Sequence, residues 1–377
     1  MKIKETDIAV IGAGSAGLSA ACQAAAAGAK VLVIDENHLP GGQLFKQIHK
    51  FFGSRAHQAG TRGYMIGREL LKRVEESGCE VWLDTVVYGM QKDCSLGVIR
   101  NGEHWVVKAR KVIVATGAKE NYMAFPGSTL PGVMGAGAAQ TMINVNRVLP
   151  GERILMLGSG NVGLIVSYQL MQAGAEVVAL VEGAPIIGGY GVHAAKIRRA
   201  GVPIYLSHTI RRVLGTDQVE GVEIVEVDSR WNPIPGTEKH FDVDTVCLAV
   251  GLNPMTELLF MAGCTFDHFA SFGGHVPLHD ENMETTIPGL YAAGDVTGVE
   301  EASSAMEEGN LAGVAAAEAL GLLSEEEASA KKQEIRERLN TLRSGLFGEK
   351  RRTAKNDLLK DMKIWQHENG REQTWKA

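Results

Sequence analysis

The chain has 377 residues, 45 of them glycine, with 45% apolar and 22% charged residues and a net charge of -6. That length and composition suit about two or three domains with their own cores and exclude disorder or a collagen-like repeat. The acidic balance argues against a dedicated nucleic-acid binder, whose domains carry a basic face.

Taken in chain order, residues 8–29 carry no charge and follow Lys2 and Lys4, which superficially suits a signal peptide or membrane helix. Glu5 and Asp7 interrupt the basic flank, and Gly12, Gly14 and Gly17 break the apolar run, so the expectation is a soluble strand, turn and helix. Residues 7–11 read as a strand, Gly12-Ala-Gly14-Ser15-Ala16-Gly17 as the turn, and the alanine-rich stretch to Ala27 as a helix that Gly28 stops. A second strand follows at 30–35. The Asn101-Gly102 pair predicts a hairpin between 96–100 and 104–108, and a buried strand at 111–115 runs into Thr116-Gly117. Pro126-Gly127 and Pro131-Gly132 mark a connecting segment.

The same grammar returns 146 residues later. A strand at 153–157 leads into Gly158-Ser-Gly160-Asn161-Val162-Gly163, then a helix to about Ala173, Gly174 and a strand at 176–182. A strand at 245–250 ending in Gly251 matches the Thr116-Gly117 strand, and residues before each read as antiparallel β. Residues 287–293 form one more strand ending in Gly294-Asp295, followed by a helix at 302–320. From residue 326 to the end, 13 Lys/Arg stand against 9 Asp/Glu. Leu339, Leu342, Leu346 and Phe347 suggest a partly amphipathic helix there, and Trp365 and Trp375 could face the chain's own surface or a neighbouring chain.

A GxGxxG turn between a strand and a helix is a dinucleotide signal. The first glycine permits the turn, the second lets a pyrophosphate approach, and the third lets the helix pack on the strand, with the phosphate at the helix N-terminus. Asp35, 23 residues beyond Gly12, stands where a carboxylate accepts ribose hydroxyls. Glu182, 24 residues beyond Gly158, is its counterpart and favours the free 2'-hydroxyl of NAD. A duplicated fold can also keep such glycines for packing, so a vestigial or differently occupied second site stays open beside NAD(H).

Residues 4–17, 33–43, Thr116-Gly117 and 290–298 resemble the two-dinucleotide flavoprotein family in the expected order. That resemblance implies FAD at the first site, with Asp295 on the ribityl chain and Gly294, Glu36, Gly42, Gln43, Val87, Thr116 and Gly117 also at the cofactor. It implies NAD(H) at the second, through Gly158, Gly160, Asn161, Val162, Gly163, Glu182 and Gly251. The implied fold is α/β, with two interleaved Rossmann-like three-layer domains, β-meander insertions and a C-terminal helical tail. The FAD domain would comprise 1–120 and 270–325, the NAD(H)-type domain 121–269 and the tail 326–377.

Disulfide reductases of this family carry GGxCxxxxC after the FAD site. Here Gly41-Gly42 is followed by Leu44 and His49 at the two cysteine positions. No CxxC precedes the second glycine loop either. The five cysteines, Cys22, Cys79, Cys94, Cys247 and Cys264, are scattered, which suggests reduced thiols in a cytoplasmic protein and supplies no zinc or iron-sulfur ligand set. His49 is a candidate acid/base or flavin-tuning residue, equally able to contact a partner or a core wall.

The run Ala115 to Glu120, then 125–133, 136–140 and Leu149-Pro-Gly, is similar to one branch of the family. That branch holds the FAD-containing α subunits of sarcosine, opine, proline and hydroxyproline dehydrogenases or oxidases and a hydrogen cyanide synthase subunit. It implies electron exchange with a flavoprotein or iron-sulfur partner subunit, any cluster lying on the partner, and a small-molecule substrate whose pocket could lie there too. Two other readings remain: a free-standing NADH oxidase or reductase using oxygen, quinone or ferredoxin, and a scaffolding subunit with a structurally held nucleotide.

Overall fold

The computed structural model describes residues 2–51 and 54–370, apart from the side chains of Leu346 and Phe347; Trp375 lies outside the described residues. The chain divides into two compact units, Met1–Lys119 joined with Asn253–Ala377, and Glu120–Leu252. The return to the first unit thus comes at residue 253, where the sequence suggested 270. The short helix Glu257–Ala262 explains this, because Leu258, Leu259 and Ala262 are buried in one core with Ala9, Ile11 and Leu32.

In the first unit a parallel sheet runs in the order Glu80–Trp82, Val31–Ile34, Lys2–Ile11, Glu103–Val114 and Leu290–Ala292. The first half of the long Glu103–Val114 strand also pairs antiparallel with Ser95–Arg100, which pairs in turn with Thr85–Met90. The sheet therefore grows a meander out of its own strand. The hairpin turns at Asn101 (φ 52) and Gly102 (φ 75), both left-handed, as an Asn-Gly turn demands.

Side chains alternate across the sheet with the period of two that strands impose. Ile8, Val10, Val31 and Val33 enter a core with Leu18 of the helix Ser15–Ala26, Ile66 of Gly63–Glu76 and Leu311 of Ala302–Glu318. Ala9, Ile11, Leu32 and Ile34 face the opposite way, onto Leu96 and Val98 of the meander. The result is three layers of helices, parallel sheet and meander.

The second unit repeats the plan. Its parallel sheet runs Ile204–Leu206, Glu176–Glu182, Arg153–Leu157, Thr245–Leu248 and Val133–Gly135. Ile154 and Met156 face one core, Leu155 and Leu157 the other. The antiparallel insertion is His208–Leu214, Gly221–Glu226 and Lys239–Phe241. One difference explains the interleaving. The fifth strand of the second sheet comes from before its first strand, whereas that of the first sheet comes from far beyond its fourth. Val133–Gly135 escaped the sequence reading, since three residues after Pro131-Gly132 carry no strand signature.

The tail consists of two helices that belong to the first unit. Glu325–Leu342 begins with a capping box between Ser324 and Glu327 and buries Ile335 and Leu339 in the helix-side core. Gly345–Glu368 packs Ala354, Leu358 and Met362 against Phe272, Val276 and Leu278. Among the described residues no helix is long and apolar enough to cross a membrane.

The helices Ser15–Ala26 and Ala302–Glu318 approach so closely that a Cβ on Gly309 would lie 2.1 Å from the Ala16 carbonyl oxygen, and one on Gly313 2.4 Å from that of Ala20. Overpacking of this kind typically costs about 1–3 kcal/mol. Gly309→Ala should accordingly lower the urea midpoint of unfolding without changing the slope, and an unchanged midpoint would refute this helix contact.

Candidate functional site

The first glycine loop is shaped by three different steric demands. Gly12 has φ 103, and a Cβ there would stand 2.3 Å from the Ala115 oxygen; a Cβ on Gly17 would stand 1.8 Å from the Gly12 oxygen. Side chains are therefore excluded where the strand turns and where the helix packs on the turn. At Gly14 a Cβ would meet nothing within 4 Å. Gly14 is the N-cap of Ser15–Ala26 and offers no side-chain cap, so the helix start presents free amides and the positive end of its dipole to open space. This is the cradle a pyrophosphate fits.

Of the other residues singled out in the sequence, Asp35, Gly42 and Gly294 abut this loop and helix start. Buried Asp35 accepts hydrogen bonds from the Ala13 amide (2.6 Å) and the Asn37 amide (2.8 Å), which fixes it beside the loop. The Gly41 amide donates to the Ala13 oxygen at 2.6 Å, and a Cβ on Gly42 would reach 2.9 Å from the Gly14 Cα. A Cβ on Gly294 would lie 2.8 Å from the Ala16 Cβ, so the Gly294-Asp295 turn abuts the same helix start. Glu36 and Gln43 are exposed on the flanking loops. Thr116 donates to the Met255 oxygen at 2.7 Å, and Gly117 takes φ 75 at the strand's end. Val87 lies opposite Val98 on Thr85–Met90, against the meander-side core. His49 follows the 3-10 segment Gly42–Lys46 and stacks on Phe51, ring centroids 6.0 Å apart.

Asp295 is partly accessible, yet the protein crowded around it sets its acidity. Burial, opposed by a hydrogen bond from the Glu300 amide (3.3 Å) and reinforced by the charges of Glu308, Glu300 and Glu301, pushes its carboxyl up to about 7. Glu308 is a site residue that sequence reasoning missed. It is buried and accepts from the Gly294 amide at 3.0 Å and the Thr297 hydroxyl at 2.8 Å. Adjacent acids at 307 and 308 inside an otherwise apolar, alanine-rich helix were the available signal, because buried carboxylates require partners.

The second unit reproduces the cradle. A Cβ on Gly158 (φ 104) would stand 2.2 Å from the Ala249 oxygen, one on Gly163 2.0 Å from the Gly158 oxygen, and one on Gly160 in open space. Glu182 accepts from the Ser159 amide (2.8 Å), the Ser159 hydroxyl (2.6 Å) and the Ala184 amide (2.9 Å). The Gly189 amide donates to the Ser159 oxygen at 2.8 Å, as Gly41 does to Ala13. Gly188-Gly189 thus stands six residues beyond Glu182 as Gly41-Gly42 does beyond Asp35, an extension of the internal repeat that the sequence reading overlooked. Asn161 accepts from the Tyr190 amide at 2.9 Å, Val162 is exposed, and Gly251 (φ 101) accepts from the Asn121 amide at 3.0 Å.

All five cysteines are free thiols, and burial is the first cause raising each of them, Cys79 to about 11 and Cys247 to about 12. Burial thus favours the protonated thiol at each of them. Among the described residues no group of three or more His, Cys, Asp or Glu is placed to hold a metal ion.

Each of the two Rossmann-type sheets carries a glycine cradle with a carboxylate fixed beside it, the architecture of dinucleotide-binding folds. Residues 6–309 match the model of the pyridine nucleotide-disulphide oxidoreductase family, and the chain belongs to that family. It is accordingly an FAD-dependent oxidoreductase. It is 30% identical over 350 residues to an opine oxidase subunit of Agrobacterium tumefaciens (strain Ach5), covering 86% of this chain and 67% of that protein. It is also 30% identical to the sarcosine oxidase alpha subunit of Rhizobium meliloti (strain 1021), over 67% of this chain but only 25% of that protein. In fold it is similar to the thioredoxin reductase of T. acidophilum (TM-score 0.69, 21% identity, 84% of this chain and 99% of that one). The L-proline dehydrogenase of P. horikoshii gives a TM-score of 0.66 at 22% identity, over 89% of this chain and 60% of that one.

The raised acidity constant of Asp295 makes a prediction for the unliganded protein. A carboxyl at about 7 in the folded state and near 3.8 when unfolded keeps its proton longer in the fold. Its contribution to stability is complete at low pH and is lost as pH rises from about 4 to about 7. Asp295→Asn should remove that part of the decline in a series of thermal melts across this range. An identical pH profile in the two proteins would refute it.

Proposed function

We propose that this chain is the FAD-carrying subunit of an amino-acid (secondary amine) dehydrogenase-type complex, exchanging reducing equivalents between NAD(H) and a partner subunit. The observation that carries this reading is the duplicated cradle, present twice with its carboxylate in place, in a chain with no cysteine pair beside either cradle. A thiol relay is thereby excluded from the family's repertoire here, and two nucleotides remain to be connected.

In the first unit the amides from Gly12 to Gly17, including those of Ser15 and Ala16, would take the pyrophosphate. Asp35 would take the ribose and Asp295 the ribityl hydroxyls, with Glu36, Gly42, Gln43, Val87, Thr116, Gly117 and Gly294 lining the rest. Bound there, FAD supplies a ring that accepts and returns hydride without a protein nucleophile. The chain's own work is to bind, to orient and to set the local charge. In the second unit Gly158, Gly160, Asn161, Val162 and Gly163 would cradle the NAD pyrophosphate, with Gly251 at the neighbouring strand end. Glu182 already accepts three hydrogen bonds from the chain, and two carboxylate oxygens retain lone-pair capacity for a ribose hydroxyl. No Lys or Arg occurs from Glu182 to Tyr190 to pair with a 2'-phosphate, which supports NAD over NADP.

The partner is inferred from the relatives, several of which are named as subunits. The amine substrate, and any iron-sulfur cluster, would then lie on that partner. Five unpaired thiols suit the reducing cytoplasm.

Anaerobic titration with NADH should bleach the flavin band. Glu182→Ala should raise the NADH concentration required by about ten-fold or more, the worth of a hydrogen bond to a charged group. A flavin that neither NADH nor NADPH reduces would overturn the nicotinamide link. Purification from the native source should yield two or three chains, and a lone chain that rapidly turns over NADH with oxygen would overturn the partner. His49 is assigned a flavin-tuning role, which His49→Ala with unchanged electron-transfer rates would remove.

A further inference from the structure

The Gly294-Asp295 turn is held from behind by the C-terminal helices, through one buried carboxylate with divided duties. Oε2 of Glu308 accepts from the Gly294 amide (3.0 Å) and the Thr297 hydroxyl (2.8 Å), while Oε1 pairs with Arg343 and with Lys355 (2.9 Å). One oxygen thus faces the turn and the other faces the tail. Arg343 closes the helix Glu325–Leu342, and Lys355 lies in the middle of Gly345–Glu368.

The tail also holds the chain at two points just after Asp295. Lys355 donates to the Thr297 carbonyl and hydroxyl oxygens, each at 2.9 Å, with its ammonium 5.1 Å from the centre of the Phe272 ring. Arg343 binds the Glu300 carboxylate through Nε (3.0 Å) and Nη2 (2.8 Å), and the Glu300 amide is the group that donates to Asp295 Oδ1. All four charged side chains are withdrawn from water, at 3% exposure for Glu308, 4% for Glu300, 5% for Lys355 and 12% for Arg343. On the adjacent residue the arrangement recurs, where Arg338 of the same tail helix holds Glu307 through two bonds of 2.8 and 2.9 Å.

Gly294 adopts φ 81 and ψ -155, a conformation reserved for glycine; the Thr297 hydroxyl (2.9 Å) and amide (2.8 Å) donate to its carbonyl oxygen, while its own amide donates to Glu308. That acceptor lies outside the turn, and two cations face it. Burial works against the ionised form of Glu308, but Lys355 and Arg343 outweigh it and hold the carboxyl below its usual range. Burial, together with the same Lys355, keeps neighbouring His279 neutral, so no third cation competes.

We propose that Arg343 and Lys355 are positioning residues for FAD, aiming Asp295 through Glu308, so that retention of the flavin depends on the docked C-terminal helices. This rests on the reading of Gly294-Asp295 as the ribityl site. It assigns the basic tail a task within its own unit, at the Gly294-Asp295 turn.

The test is FAD binding to deflavinated full-length protein, read by flavin fluorescence, with circular dichroism and a thermal melt of the apoprotein as folding controls. Arg343→Met and Lys355→Met should each weaken FAD by about ten-fold or more, in keeping with the loss of hydrogen bonds to a charged group. Arg343→Lys, which retains the charge, should recover most of that loss and restore the visible band shape of the bound flavin, which general destabilisation would not do. Thr297→Val removes the hydroxyl that links Lys355 to Glu308 while leaving the ion pairs, and should weaken FAD similarly even if a methionine variant fails to fold. Methionine variants, or Thr297→Val, that are folded and bind FAD within two-fold of the parent overturn the proposal. Gly14→Val, which blocks the pyrophosphate cradle, separates the two levels of inference. If it abolishes binding while the tail variants bind normally, only the positioning role falls. If the parent itself takes up no FAD, the site assignment falls with it.

Discussion

The structure depends on bringing a helix N-terminus directly off the end of a buried strand, with its amides bare. Only chain without side chains can do this. At Gly12 and Gly17, and again at Gly158 and Gly163, a single Cβ would sit within 2.3 Å of a backbone oxygen. From that constraint the rest follows. The helix packs on the strand, its amides face outward, and a carboxylate at the end of the next strand locks the loop through the Ala13 or Ser159 amide. The geometry that permits phosphate binding is thus also the geometry that closes the core.

A second layer of control lies in buried charge. Ala302–Glu318 packs against Ser15–Ala26 through glycine and alanine, yet carries Glu307 and Glu308 on its other sides. Isolated, these carboxylates would be costly to bury; paired with Arg338, Arg343 and Lys355 they attach the tail to the first unit, and Glu308 also accepts from the Gly294 amide. Specific geometry is a better explanation for such pairs than stability, since apolar replacements often serve stability as well.

The family name mentions disulphides, but this chain lacks a cysteine at either position of the redox pair that follows the first glycine loop. Leu44 is fully buried in the helix-side core where one reactive cysteine would stand, and His49 stacks on Phe51 at the other position. The glycine cradle occurs twice in the chain, and the tail packs within the first unit. The chain spans about two thirds of the length of the opine oxidase relative and a quarter of that of the sarcosine oxidase one.

Local grammar alone determined much of this molecule. Gly12 to Gly17, Asp35, the Asn101-Gly102 hairpin, the repeat at Gly158 and the strand before Gly294 could all be read off the sequence, because each obeys a rule spanning a few consecutive residues. The missing redox cysteines were equally legible, since an absence needs no fold to be seen. Tertiary structure alone decided the pairings of distant segments: the three-residue strand Val133–Gly135 that completes the second sheet, the docking of Glu257–Ala262 in the first unit, and the meeting of Glu308 with Arg343 and Lys355. A strand of three residues has too little pattern to announce itself, and an ion pair between residues 35 or 47 positions apart leaves no periodic trace. Only burial reveals that those charges must face one another.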